Sequence, residues 1–394
     1  MNRALLIGYT ALLVYGSLFP FVGWGTPDVS PWQQFLSPGR VSRADLVLNV
    51  LIYLPLGWLA ARVFAGAGHV RAVLLATLTG SLLSFGVEYL QALLPMRVSS
   101  FHDWGWNTLG TFSGAVVHRQ LASLGPWIQR TAKLLVDDGP VPRLGVAVVG
   151  VWAAGQLFPF VPSPDIGNLR AGLRPVWRVL RGSASFEPSR ALSYAFTILS
   201  LSIILSAALR PEHRRRLFVS AFFFCVLLAK VPFVRQQLSL EALVGAGLAL
   251  LVVGFLRESE RASTVAFAAI AGAIVVDQLR PVGGASGLSA FNWIPFRSHL
   301  VNDLTGIEDV LDTVWPFLAF GFLAIRAQPS RPERVAVAGI GVVFLSVLLL
   351  EWLQTFVPGR SPDVTDAIIA AAAWTIPWVH LRVGRLIESG TFSL

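Results

Sequence analysis

The sequence predicts an all-α polytopic transmembrane bundle of about 12 helices, and three observations carry that prediction. Of the 394 residues, 54% are hydrophobic and 13% charged, with mean hydropathy +0.65, whereas soluble domains carry roughly 25% charge. The apolar residues form a dozen continuous stretches of spanning length, not the alternating runs of a β-barrel. Between those stretches the arginines are segregated, abundant in every second short connection and about one apiece in the short connections of the other set. The net charge of +9 then follows from basic loops on one side of a membrane rather than from nucleic-acid binding. A lone cysteine, Cys225, leaves no intrachain disulfide or thiolate metal cluster to consider, and no metal site or cofactor is expected.

The first stretch, 4–22, has a basic start and an apolar core but no small-residue cleavage site, so it reads as a retained helix. The next three, 46–66, 71–94 and 103–121, complete a first group of four. A second group covers 144–162, 191–209, 217–233 and 239–256, and a third covers 263–280, 309–327, 335–357 and 364–381. The basic connections hold Arg62 with Arg71, Arg210 with Arg214 to Arg216, Arg257 with Arg261, and Arg326, Arg331 and Arg334. Positive-inside bias therefore puts both termini in the cytoplasm. Arg170, Arg174, Arg178 and Arg181 fall on the opposite side, at a spacing that makes a basic stripe on an interfacial helix.

The groups of four look like copies of one unit, which divides the chain into 1–125, 126–261 and 262–394. Glu88, Gln91, Pro95, Arg97 and Asp103 recur at one constant offset as Glu351, Gln354, Pro358, Arg360 and Asp366. With one residue of slippage, Asp45 and Gly57 align with Asp309 and Gly321. The middle copy is worn: Gly16 to Phe21 returns as Gly155 to Phe160, and Arg235 and Glu241 stand for Arg97 and Asp103. Units with an even number of helices keep their orientation, so equivalent residues face the same side.

The polar residues converge under that topology. Asp45, Asn49 and Tyr53 open the second helix, Glu88 and Gln91 close the third, and Asp103 and Asn107 open the fourth. All lie within about 10 Å of the non-cytoplasmic face at 1.5 Å rise per residue. Ionisable groups in spanning helices cost roughly 2.5–3.5 kcal/mol on insertion scales and are usually paired or functional. One reading is structural: Asp103 caps its helix, Arg97 pairs with Glu88 or Asp103, and the amides join helices. Gly110 and Gly114 form a small-xxx-small packing pair.

The first copy resembles the VanZ-like family of membrane proteins. The resemblance rests on Ser17-Leu18-Phe19-Pro20, Asp45-x3-Asn49-x3-Tyr53-x-Pro55-x-Gly57, Glu88-x2-Gln91-x3-Pro95-x-Arg97 and Asp103-x3-Asn107-x2-Gly110. The third copy is similar in part, with Thr313, Phe317, Ala319 and Ala370 where Asn49, Tyr53, Pro55 and Asn107 stand. The resemblance implies a cell-envelope role, linked through the family's name to low-level glycopeptide antibiotic resistance, and supplies no reaction.

Two functional readings follow. The first is an outward-facing polar pocket for the head of an amphipathic envelope lipid, glycolipid or lipid-linked precursor. Asp45, Asn49, Tyr53, Glu88, Gln91, Arg97, Asp103 and Asn107 would hold it in the first copy, with Asp309, Glu351, Gln354, Arg360 and Asp366 as a second set. The alternative is a membrane hydrolase or transferase in which Glu88 or Asp103 acts as general base. A transporter is disfavoured because the polar residues gather near one face and not at the midplane.

Overall fold

The structure is a computed structural model that describes residues 2–18, 24–25, 30–37, 43–94, 99–163, 165–210, 215–255, 261–281, 287–297, 303–327 and 332–388. It is all-α, and among the described residues only isolated β-bridges occur. The helices are α1 (Asn2–Leu18), α2 (Pro31–Leu36), α3 (Arg43–Val63), α4 (His69–Gln91), α5 (Phe101–Leu135), α6 (Pro140–Leu157) and α7 (Ile166–Leu180). They continue as α8 (Pro188–Ala208), α9 (Arg215–Ala229), α10 (Leu240–Phe255), α11 (Arg261–Gln278), α12 (Asp303–Arg326), α13 (Pro332–Gln354) and α14 (Val364–Glu388). Each predicted apolar stretch falls on one of these helices; α2 was not foreseen.

Among the described residues, six helical segments are long and apolar enough to cross a membrane, at Leu46–Val63, His69–Gln91, Pro188–Ala208, Arg261–Gln278, Pro332–Gln354 and Val364–Arg382. Three shorter apolar helices lie at Leu5–Leu18, Leu217–Ala229 and Leu240–Gly254. α4 shows what solvent these faces are built for. Its buried side is mostly small or polar, with Ala72, Ala76, Gly80, Ser84 and Glu88 beside Val73 and Val87. Its exposed side carries Val70, Leu74, Leu78 and Leu82, each 56–68% accessible and four residues apart. A soluble helix would point its large apolar residues inward. Helices that pack through small and polar residues while showing aliphatics outward belong in lipid. The chain is a helical membrane protein.

Two compact units emerge, residues 1–131 and 132–394. In the first, α3, α4 and α5 meet at positions where only glycine fits. A Cβ on Gly57 would strike the Thr111 carbonyl, and one on Gly80 the Thr111 side chain. Gly110 and Gly114 of α5 sit against the Val50 and Leu54 carbonyls of α3, as the small-xxx-small spacing requires. In the second unit α8 is central, packed by α6, α9, α10 and α11. α12 rests on α6 and α14, and α14 also covers α13. Trp152, Ile198, Leu201, Ile204, Phe223 and Phe322 make a fully buried centre there.

α7 is the amphipathic helix that the arginine spacing implied, N-capped by Asp165 through the Asn168 N–H at 3.2 Å. Its buried Gly172 meets the Val231 backbone. Arg170, Arg174, Arg178 and Arg181 are exposed, together with Ile166, Leu173, Trp177 and Leu180.

Candidate functional site

In the first unit the predicted polar residues lie where α4 ends and α5 begins. The Ser100 N–H donates to Glu88 Oε2 at 2.8 Å, and both residues are buried. Ser100 is also the N-cap of α5, its Oγ accepting the His102 N–H at 3.2 Å. Ser100 therefore has the capping role that the structural reading gave Asp103, because the helix starts two residues before that acid. Asp103 instead ties α5 to α3, accepting Asn49 Nδ2 on Oδ1 at 2.8 Å. Gln91 Nε2 donates to the Ser17 carbonyl at the end of α1, at 2.9 Å. Asn107 Nδ2 donates to Ser84 Oγ at 3.0 Å.

Two buried atoms of this cluster, Tyr53 OH and Asn107 Oδ1, have no hydrogen-bond partner among the described residues. An unmet buried polar group costs about 1–3 kcal/mol. Asp45 begins α3 with its side chain outside the described residues, and Arg97 and Pro95 also lie outside them. Trp104 Nε1 donates to the Ser81 carbonyl at 3.1 Å, and its ring meets Phe35 and Phe101.

The second unit repeats several of these bonds at the same separations. Glu351 Oε2 accepts the Asp363 N–H at 2.9 Å, again twelve residues on, and Asp363 caps α14 by accepting the Thr365 N–H at 2.8 Å. Gln354 Nε2 donates to Glu351 Oε1 at 2.7 Å and to Gln278 Oε1, at the end of α11, at 2.9 Å. Lys230 Nζ reaches Gln156 Oε1 at the end of α6, 74 residues back, the same separation as Gln91 from Ser17. Glu241 accepts the Glu187 N–H across 54 residues, as Asp103 accepts from Asn49. Ser239 caps α10 as Ser100 caps α5.

This unit also holds a cavity of about 520 Å³. It opens among the ends of α6, α11 and α13 and the beginnings of α8, α12 and α14. All five members of the predicted second set line it: Asp309, Glu351, Gln354, Arg360 and Asp366. Of these, Glu351 and Gln354 are buried, at 2% and 3% accessible. Arg360, in the connection between α13 and α14, donates from Nε to the Arg280 carbonyl at 3.1 Å and from Nη2 to the Asp277 carbonyl. Burial pulls its pKa down while the Asp277 charge raises it, and a guanidinium stays protonated regardless.

The sequence reading missed the wall opposite. Arg280 pairs with Glu187 at 2.9 Å and Asp277 at 3.5 Å. Asp312 and Arg190 also face the cavity. A signal existed for Asp312, which lies three residues after Asp309 and hence on the same helix face inside a span. Arg190 opens a span and carried no distinguishing pattern. Among the described residues, no group of three or more His, Cys, Asp and Glu side chains is placed to hold a metal ion.

Comparison with known proteins agrees with the first unit's motifs. Residues 6–122 match the model of the VanZ/LLP1 family. No curated protein and no solved structure matches the chain. The likeness to the VanZ/LLP1 family is thus carried by residues 6–122, within the first unit of a helical membrane protein.

Proposed function

We propose that this protein sits in the bacterial inner membrane with both termini cytoplasmic and binds the polar head of an amphipathic envelope lipid or glycolipid. The observation that carries the reading is the 520 Å³ cavity of the second unit, whose wall pairs carboxylates and amides with guanidinium groups at one set of helix ends. Those ends lie away from the arginine-rich connections around Arg210 and Arg326, so the positive-inside rule puts the cavity at the non-cytoplasmic face. Charged and amide donors inside lipid carry an insertion cost that a bound head group offsets. In the first unit the same residue types brace helices against one another, and Tyr53 OH and Asn107 Oδ1 are buried without a hydrogen-bond partner among the described residues.

We further read the chain as three four-helix copies, 1–125, 126–261 and 262–394. Support comes from the shared separations of 12, 54 and 74 residues in the bonds that join equivalent helix ends. A link to glycopeptide resistance rests on the family likeness alone.

The test is native mass spectrometry of the full chain extracted from its host membrane. A retained lipid is expected on the wild type and is expected to be lost from Thr313→Trp, which fills the cavity without altering charge. Undiminished lipid on a folded Thr313→Trp variant would remove the cavity from the explanation. Conversion of that lipid to a species of changed mass, abolished by Glu88→Gln, would favour the hydrolase or transferase reading instead.

A further inference from the structure

The charge on the cavity wall narrows the head group. Six carboxylates line it among the described residues, against three guanidiniums. Two of the guanidiniums are engaged by the protein. Arg280 is held by Glu187 and Asp277, and Arg360 by two backbone carbonyls. The third, Arg190, is half-buried in the first turn of α8 and has no hydrogen-bond partner among the described residues. Asp312 is exposed to the cavity and likewise has no donor on it among them. Its charged neighbours are Glu308, Asp277 and Asp309 with one cation, Lys230, which already donates to Gln156.

Among the described residues the cavity therefore presents one unmet cation and one unmet anion within a surplus of negative charge. A net-anionic head, such as a pyrophosphate or phosphoglycerol, would satisfy Arg190 and be repelled by the rest. A neutral sugar would leave both charges without a counter-ion. We propose that the cavity takes a zwitterionic head that joins a primary ammonium to a single phosphate. The ammonium donates to Asp312 and the phosphate accepts from Arg190. Three N–H donors suit a carboxylate cluster in a way that a quaternary ammonium cannot.

This rests on the reading of the cavity as a head-group site, and the probes separate the two claims. Purified full-length protein in detergent is titrated with phosphatidylethanolamine, phosphatidylglycerol, phosphatidylcholine and free glycerophosphoethanolamine, and binding is followed by native mass spectrometry. Phosphatidylethanolamine is expected to bind best. Asp312→Asn is expected to weaken it about tenfold and leave phosphatidylglycerol unchanged or improved, with Asp312→Glu restoring the preference. Phosphatidylcholine against phosphatidylethanolamine gives the same comparison without any variant. If phosphatidylglycerol binds as well or better, the ammonium assignment is overturned while a lipid-head site stands. Binding of glycerophosphoethanolamine equal to that of the lipid supports the ammonium–phosphate chemistry and overturns the membrane-lipid source. If no probe binds the wild type, both claims fall.

Discussion

Glu88 and Glu351 each accept the N–H of the residue that caps the next helix, so one carboxylate fixes a turn between two spans. Removing it strands that N–H in a buried site. Glu88→Ala is expected to cost about 1–3 kcal/mol, and Glu88→Gln less, because an amide oxygen can still accept. Unfolding of the detergent-solubilised variants checks this; equal stability of both with the wild type would contradict it. These acids were legible in the sequence because they recur with the same partners in order. Arg190 was not, since matching copies reveals only what copies share, and Asp312 was signalled only by its spacing from Asp309. Asp103 shows a different limit: an acid three residues into a helix looks like a cap until the start is known, and Ser100 proved to hold that position.

Glycines divide the helices into contacts and free surface. Gly57→Ala puts a methyl onto the Thr111 carbonyl and is expected to destabilise by about 1–3 kcal/mol, as overpacking does. Gly86 and Gly105 lie in α4 and α5 with open space around a would-be Cβ. Alanine there is expected to be neutral or to stabilise by about 0.5–1 kcal/mol. The same unfolding assay separates the classes, and similar losses at all three would contradict the packing. α7 makes a second prediction at this scale. Its exposed Trp177 among four exposed arginines should lie at the head-group level. Lipids with a quencher high on the acyl chain should quench it more than lipids quenched near the chain end; the reverse would place α7 elsewhere. α7 was legible from arginine spacing, whereas α5 continues to Leu135 past the apolar stretch ending near 121. Hydropathy reports the part of a helix that suits lipid and not where its hydrogen bonding stops.

For the whole molecule, composition and apolar length were enough for the class, because nothing but closed backbone hydrogen bonding survives in lipid. Sidedness rests on the arginine distribution and is testable. In a Cys225→Ala background, Ser361→Cys should react with an impermeant thiol reagent from the non-cytoplasmic side and Ala327→Cys only from the cytoplasm. Opposite labelling would invert the topology and move the cavity to the inner face. The cavity itself was half legible: the internal match supplied one wall, and the other came only from folding α8, α11 and α12 around it.

The most direct measurement is photocrosslinking of the full chain in membranes with a phospholipid carrying a diazirine at its head group. Adducts are expected to concentrate on residues 309–317 and 347–366 and to fall away in Thr313→Trp. Adducts confined to the outward aliphatic faces, such as Val337 and Leu345, with none along the cavity wall, would contradict head-group binding.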